Sequence, residues 1–154
     1  MNILVIEDDH NKRQQLVDFI CETRRDAHVE QTKSYQSGLR SLVESRYDLV
    51  FLDMTMPTFD RSPTESGGRV RPFAGRDILV QLDRREVISY VIVFTQFSVL
   101  GDGDEQVSVE DLDIKLRSEF PMTYRGYVHY DTARNDWKAK VEAILSECTK
   151  EDRR

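Results

Sequence analysis

The sequence lacks the features that mark membrane-bound, secreted and disulfide-stabilised proteins. It has no apolar run near the ~20 residues that a membrane span requires, and Met1 leads directly into a strand-like segment rather than into a signal-peptide pattern. Cysteine is scarce, and Cys21 and Cys148 form neither a CxxC pair nor a cluster with paired histidines. We therefore expect reduced thiols and a soluble cytoplasmic protein that does not contact a membrane.

The sequence also has no excess of positive charge. It contains 22 lysines and arginines against 28 aspartates and glutamates, a net charge of -6. A protein that binds nucleic acid without regard to sequence needs a basic surface, because phosphate contacts dominate its affinity. The excess of acidic over basic residues therefore argues against direct nucleic-acid binding. The length, 154 residues with 39% apolar composition, predicts a single domain over residues 1–154 with a core of its own.

Short apolar runs alternate with segments of helical periodicity along the chain. The runs are residues 3–6 (ILVI), 49–52 (LVFL), 90–94 (YVIVF) and 126–130 (GYVHY), with a more polar run at 27–32. They are rich in β-branched or aromatic residues and do not alternate in polarity, which is typical of parallel strands covered on both faces. Apolar stripes lie between and after them: Leu16, Phe19, Ile20; Tyr35, Leu39, Leu42, Val43 after a capping Ser34; and Trp137, Val141, Ile144, Leu145, Cys148. This order predicts a doubly wound α/β fold with a parallel sheet flanked by helices.

Two segments interrupt the alternation. Residues 58–76 hold three of the seven glycines, two of the four prolines and four arginines, which predicts a long loop over the carboxyl end of the sheet. The second insertion, near residues 98–118, includes an acidic segment at 101–113 that is expected to be solvated. Gln106 and Val107 stand where a calcium loop needs a ligand and a glycine.

Acidic residues follow two of the predicted strands. Glu7, Asp8 and Asp9 come after the first, Asp53 follows residues 49–52, and the hydroxyl of Thr95 ends the next run. In a parallel sheet these ends share one edge, where ligands bind. Clustered carboxylates either shift their pKa values or recruit a cation, and oxygen-only ligation suits Mg²⁺. A carboxylate beside a metal can also act as a nucleophile toward a phosphoryl group. The alternative is that each aspartate is only a turn residue or a helix cap.

The motifs ILVIEDD, YDLVFLDMTMP and VIVFTQF resemble the first, third and fourth strands of the receiver domain of two-component response regulators, and GYVHY resembles the fifth more weakly. The resemblance implies a flavodoxin-like, five-stranded parallel sheet of order 2-1-3-4-5. It implies that Asp53 is the phosphoacceptor, with Mg²⁺ bound by Glu7, Asp8, Asp53 and the backbone carbonyl of Thr55. Thr95 and Tyr127 would be the switch residues, and a histidine kinase or phosphotransfer protein would be the donor.

The sequence departs from the family where a lysine is expected after the fifth strand. That position is Tyr130, followed by Asp131 rather than proline. A tyrosine donates a hydrogen bond but brings no positive charge. We therefore expect an arginine of the first insertion, Arg61, Arg69 or Arg71 and above all the last two, to contact the phosphoryl group, because a guanidinium suits its oxygens. The alternative is that these arginines only keep the loop soluble.

Three functions remain after these observations. The favoured one is a stand-alone response-regulator receiver, with no output domain and no enzymatic activity beyond its own phosphotransfer and dephosphorylation. It would signal by binding a downstream protein, or serve as a phosphate sink, and the acidic second insertion suggests a partner with a basic surface. The alternative is a phosphate-independent pseudo-receiver. A metal-dependent hydrolase ranks last, because Thr55 stands where it needs an acid or base. His10 is expected to be an exposed residue of a first helical turn rather than a metal ligand or proton shuttle, and His129 is expected to have a structural role.

Overall fold

The computed structural model describes residues 1–151 and contains a five-stranded parallel sheet with helices on both faces. The strands are β1 (Asn2–Ile6), β2 (His28–Thr32), β3 (Leu49–Leu52), β4 (Met56–Pro57), β5 (Val70–Arg71), β6 (Tyr90–Thr95), β7 (Val99–Leu100), β8 (Val107–Ser108) and β9 (Tyr124–His129). The helices are α1 (His10–Thr23), α2 (Tyr35–Glu44), α3 (Ala74–Arg84), α4 (Val109–Glu119) and α5 (Asp136–Glu151). The sheet order β2-β1-β3-β6-β9 is the predicted order 2-1-3-4-5, so the fold class is confirmed.

The central strands are apolar throughout because helices cover both of their faces. Every residue of β3 is fully buried, as are residues 3–6 of β1. One core lies between the sheet and α2, α3 and α4, and the other lies between the sheet and α1 and α5. Within the described residues no helix is long and apolar enough to cross a membrane.

Side-chain caps determine where three helices begin. Asp9 accepts a hydrogen bond from the Lys12 backbone N–H, 2.8 Å away, and so caps α1. Ser34 caps α2 as predicted, with Ser37 completing a capping box, and Ser108 accepts from the Asp111 N–H at the start of α4. The predicted apolar stripe of α2 is wrong at Val43, which is 49% exposed because it turns away from the sheet.

The prediction of one long loop over residues 58–76 is wrong. The strands β4 and β5 pair antiparallel, and hydrogen bonds continue past them from Thr58 N–H to Arg69 O and from Phe59 N–H to Gly67 O. The segment is therefore a hairpin, and the helix α3 already begins at Ala74. The glycines and proline that suggested a loop belong mainly to the turn of this hairpin.

The second insertion is also ordered by strand pairing. The strands β7 and β8 form an antiparallel ribbon, and a short 3₁₀ turn at Gly103–Glu105 joins them. The acidic side chains of that turn, Asp102, Asp104 and Glu105, are exposed. Leu100 is 2% exposed and Val109 at the start of α4 is 4% exposed, so both anchor the ribbon to the rest of the protein.

Candidate functional site

The register of β1 and β3 brings the predicted acidic residues together. Ile6 pairs with Leu52, and the Asp53 N–H donates to the Ile6 carbonyl at 2.9 Å. Glu7 and Asp53 therefore follow neighbouring strands at the same edge. Glu7 is 2% exposed and Asp53 is 4% exposed, and one carboxylate oxygen from each of Glu7, Asp8 and Asp53 lies within 4.8 Å of the others.

Within this acidic cluster (Glu7, Asp8 and Asp53), the pKa values of Glu7 and Asp8 are raised. Burial and then the charge of Asp53 raise the pKa of Glu7, although the Lys12 ammonium group opposes the rise. Burial and Asp53 also raise the pKa of Asp8, and Arg61 opposes that shift. Without a cation the three carboxylates destabilise one another, so the cluster favours any positive charge that can reach it.

A lysine that the sequence analysis missed supplies such a charge. The Nζ atom of Lys12 lies 2.6 Å from Glu7 Oε2 and 3.5 Å from Asp53 Oδ1. Its side chain is only 2% exposed, and it is also 5.5 Å from the ring centre of Phe94. Burial acts to lower the pKa of Lys12, but the neighbouring carboxylates of Asp53 and Glu7 outweigh it and the net shift is upward. A buried lysine is costly unless it is paired, and here it is paired twice.

The sequence did contain a signal for Lys12. It stands four residues before Leu16 and eight before Ile20, so it lies on the buried face of α1 rather than on the solvent face. It is also in the first helical turn, where the helix dipole disfavours a cation. A lysine on a core face in an unfavourable turn, three residues after an acidic cap, indicates a carboxylate partner.

Arg13 stabilises the turn that carries the acidic residues. Its Nη1 donates to the Glu7 carbonyl at 2.8 Å, and Arg13 is 5% exposed. His10 is exposed in the first turn of α1, with Nδ1 3.2 Å from Arg13 Nη2, and His129 is half-buried at the end of β9. Neither histidine belongs to the acidic cluster.

One arginine of the hairpin reaches the site, and it is Arg61. Its Nη1 lies 3.6 Å from Asp8 Oδ2. The preceding residue, Asp60, holds the hairpin against α2 by accepting hydrogen bonds from Ser34 Oγ at 2.6 Å and Ser37 Oγ at 2.7 Å.

The structure does not bring Arg69 or Arg71 to the acidic cluster. The guanidinium of Arg71 stacks 4.0 Å above the Tyr35 ring and lies 3.5 Å from Asp77, so it packs against α2 and α3. Arg69 is exposed, and its backbone carbonyl accepts from Thr58. In this structure neither arginine contacts the acidic cluster, and a contact of either with a phosphoryl group stays a prediction.

The two threonines of the predicted site lie beside Asp53. Thr95 is fully buried at the end of β6, next to β3, and its hydroxyl accepts from the Phe97 N–H at 3.1 Å. Thr55 lies in the segment between β3 and β4, and its hydroxyl donates to the Pro72 carbonyl at 2.9 Å. That bond ties the segment carrying the Thr55 carbonyl to the end of the hairpin.

The two tyrosines at the end of β9 have different environments. Tyr127 is half-buried against the α4 side of the sheet. Tyr130, at the lysine position, is 2% exposed and packs between Phe94 and Trp137, with ring centres 5.4 and 5.5 Å away. Its hydroxyl donates to Gln15 Oε1 at 2.9 Å. The Tyr130 side chain is therefore part of the core around α1 and α5.

The residues at this site fit a magnesium ion. The three candidate side chains offer only carboxylate oxygens, which are the ligands that Mg²⁺ prefers, and they lie close enough to share one ion. The Lys12 ammonium group already holds a positive charge against two of them. Metal binding would therefore require Lys12 to move away from Glu7.

The face formed by α4, β9 and α5 contains a groove beside the edge of the sheet. Its lining includes Arg117, Arg125 and Lys140 against one acid, Glu147, with Tyr90 and Tyr127 among its aromatic residues. The lining of this groove carries three basic side chains and one acidic one, whereas the expectation of a basic partner had relied on the acidic segment at 101–113. Three exposed acids of that segment, Asp102, Asp104 and Glu105, lie in the β7–β8 turn, and two more, Glu110 and Asp111, lie in the first turn of α4.

The chain matches the family model of the response regulator receiver domain over residues 3–110. It is 31% identical over 145 residues to the uncharacterized protein y4jR of Sinorhizobium fredii, covering 92% of this chain and 95% of that protein. It is 29% identical over 149 residues to the Detocs response regulatory protein DtcB of Enterobacter cloacae, covering 96% and 99%.

Solved structures show the same fold. A CheY-like response regulator receiver domain protein from Methanospirillum hungatei superimposes with a TM-score of 0.65 at 14% identity, over 99% of this chain and 96% of that one. A two-component response regulator from Clostridium difficile gives 0.58 at 18% identity, over 95% and 96%. The chain belongs to the response regulator receiver family, as its motifs predicted. The family match ends before β9, the strand that resembled the family least.

Proposed function

We propose that this receiver accepts a phosphoryl group on Asp53 from a histidine kinase or a phosphotransfer protein of a phosphorelay. A carboxylate oxygen of Asp53 would attack phosphorus while the P–N bond of the donor phosphohistidine breaks. The imidazole leaves with the bond's electron pair and takes up a proton. The chemistry is confined to the protein's own side chain, so we do not propose an enzyme that acts on other substrates.

The observation that carries this proposal is the burial of Asp53 among carboxylates at the carboxyl end of β3. Asp53 Oδ1 also accepts a hydrogen bond from the Met54 N–H at 2.8 Å, which fixes the carboxylate in one orientation. An oriented nucleophile in a protected site loses little entropy on reaction. Glu7, Asp8, Asp53 and the Thr55 carbonyl would hold Mg²⁺, which when bound neutralises charge on the transferring phosphoryl group.

Other side chains support the site around Asp53. Thr95 would turn its hydroxyl toward the phosphoryl oxygens, and Tyr127 would respond on the adjacent strand. Gly75, at the start of α3, lets that helix pack closely against the nucleophile. A Cβ there would lie 2.9 Å from the Asp53 carbonyl oxygen, closer than normal van der Waals contact. Any larger residue would displace the backbone that positions Asp53.

The output would be a protein interaction or the storage of phosphate. The basic groove of α4, β9 and α5 is the proposed docking face, and it favours a partner with acidic groups. The proposed location is the cytoplasm.

The test is intact-mass spectrometry after incubation with Mg²⁺ and acetyl phosphate, whose P–O bond to acetate would break. We expect wild type to gain one phosphoryl group and Asp53→Asn to gain none. If both proteins gain the adduct, the acceptor is not Asp53. If neither does, even with a purified histidine kinase as donor, the proposed function is wrong.

A second candidate is a phosphate-independent pseudo-receiver. The contact between Lys12 and Glu7 favours it, because a built-in ammonium group can neutralise the acidic cluster without a metal. In that case the protein would bind its partner equally well with and without Mg²⁺ and phosphodonor. Two observations favour the phosphoacceptor function instead. The Thr95 side chain is fully buried at the end of β6, and Asp8, at the edge of the acidic cluster, is 22% exposed.

A further inference from the structure

We infer that Lys12 binds the phosphoryl group formed on Asp53 and so couples phosphorylation to the helix α1. The inference rests on the proposed function and deepens it. Tyr130, after β9, cannot supply a positive charge, and the inference assigns that charge to Lys12 of α1 instead. The observation that carries it is that Nζ of Lys12 lies 3.5 Å from Asp53 Oδ1 while the side chain is almost fully buried.

Charge balance requires a cation at this point. Phosphorylation replaces the single charge of the Asp53 carboxylate by ~1.5 to 2 negative charges and adds three acceptor oxygens. Lys12 is the buried ammonium group in contact with the cluster, and it has three donors to share. Arg61 contacts Asp8 from the hairpin, but it is 53% exposed and solvent screens its charge.

Geometry also favours Lys12. Its backbone is held by the Asp9 cap, and the Arg13 guanidinium fixes the turn before it. The ammonium group is shared between Glu7 and Asp53, so a shift of its flexible stem toward Asp53 breaks one contact and strengthens the other. Mg²⁺ at the acidic cluster would favour the same shift by competing for Glu7.

The consequence is a different route for the signal. Lys12 belongs to the first turn of α1. In the same helix, Gln15 accepts a hydrogen bond from the Tyr130 hydroxyl, and the ring centre of Phe19 lies 5.6 Å from that of Trp137. Arg24, after the end of the helix, donates to the Leu145 carbonyl of α5 at 3.2 Å. A pull on Lys12 therefore acts on α1 and, through these contacts, on α5. Trp137, the single tryptophan, is placed to report it.

The test uses beryllium fluoride, a non-covalent mimic of a phosphoryl group on a carboxylate, at Mg²⁺ concentrations that saturate every variant. The variants are wild type, Lys12→Met, Lys12→Arg and the exposed-lysine control Lys115→Met. We expect Lys12→Met to bind the mimic at least 10-fold more weakly and to shift a ¹⁹F resonance of the bound fluorides. It should also lose the Trp137 fluorescence change. Lys12→Arg should restore part of the affinity, and Lys115→Met should match wild type. A thermal melt in Mg²⁺ checks that each variant is folded.

The outcomes separate the two proposals. If wild type and Lys12→Met bind the mimic with the same affinity and the same ¹⁹F spectrum, the inference about Lys12 is overturned while the phosphoacceptor proposal stands. If Lys12→Met does not fold, Lys12→Gln takes its place, and an affinity of Lys12→Gln equal to that of wild type overturns the inference too. If wild type gains no adduct from acetyl phosphate or a kinase and binds no mimic, both proposals fall together.

Discussion

The hydroxyl of Tyr130 donates a hydrogen bond to Oε1 of Gln15, 2.9 Å away on the helix α1. The residue at the family's lysine position is therefore bonded to the same helix that carries Lys12 into the acidic cluster. Lys12 and Tyr130 together fill the space beside Phe94, one with a charge directed at Asp53 and the other with an aromatic ring. Lys12 therefore supplies the positive charge beside Asp53, and Tyr130 supplies core packing and a hydrogen bond to α1. The following predictions test this division.

Replacing Tyr130 by phenylalanine should leave phosphate acceptance unchanged. The variant keeps the ring packing against Phe94 and Trp137 and removes only the bond to Gln15, which is worth about 1 kcal/mol of unfolding free energy. Chemical denaturation measures that loss, and mass spectrometry with acetyl phosphate measures the acceptance. Tyr130→Ala should cost about 3 to 5 kcal/mol because it also empties the core. A phosphorylation defect in Tyr130→Phe at normal stability would show that the hydroxyl serves the site directly.

Replacing Lys12 by methionine should make folding depend on Mg²⁺. Removing one partner of a buried ion pair leaves the carboxylates of Glu7 and Asp53 uncompensated, at a cost of about 3 to 5 kcal/mol in metal-free buffer. Mg²⁺ binds only the folded site and should recover most of that loss by mass action. The affinity for Mg²⁺ should also rise, since the competing ammonium group is gone. Melting curves in EDTA and in Mg²⁺ test this. A variant whose melting temperature is equally low in both would argue against a metal at the cluster.

Replacing Asp60 by alanine should release the hairpin from α2. Its hydrogen bonds from Ser34 and Ser37 are partly exposed, so we expect a loss of about 1 kcal/mol and faster hydrogen exchange across residues 58–71. Glu65→Ala in the same hairpin is the control, because Glu65 bonds to Ser62 through its backbone and alanine keeps those hydrogen bonds. Equal exchange rates in the two variants would show that Asp60 does not anchor the hairpin.

The same anchor should weaken in acid. Partial burial raises the pKa of Asp60, but the hydrogen bonds from Ser34 and Ser37 outweigh it, and the net shift is downward. A carboxyl group with a lowered pKa contributes stability above its unfolded value of ~3.9 and loses it as the pH falls through the folded value. The difference in stability between wild type and Asp60→Ala should therefore be constant near neutral pH and shrink below about pH 4.

Replacing Thr95 by alanine and by serine should separate packing from hydrogen bonding. Thr95→Ala leaves the Phe97 N–H without its acceptor and should cost about 1 to 3 kcal/mol. Thr95→Ser keeps the hydroxyl and should retain the switch response, measured as the change in Trp137 fluorescence when the phosphoryl mimic binds. If the alanine variant responds like wild type, the hydroxyl is structural only.

The sequence alone determined the order of the five strands of the main sheet and the position of the acidic cluster. Both depend on local features: continuous apolar runs define buried parallel strands, and residues that directly follow such strands must share one edge of the sheet. The amino-acid pattern was therefore enough to place Glu7, Asp8 and Asp53 together, and the family membership followed from the same motifs.

Only the tertiary structure decided which cation reaches Asp53. Whether Lys12, Arg61, Arg69 or Arg71 meets the cluster depends on the rotation of α1 and on the twist of the hairpin, and packing against the whole sheet sets both. Tyr130 was assigned by position to the site, yet its ring turned into the core between α1 and α5. Long side chains span several ångströms from their backbone, so their contacts follow from the fold as a whole and not from spacing along the chain.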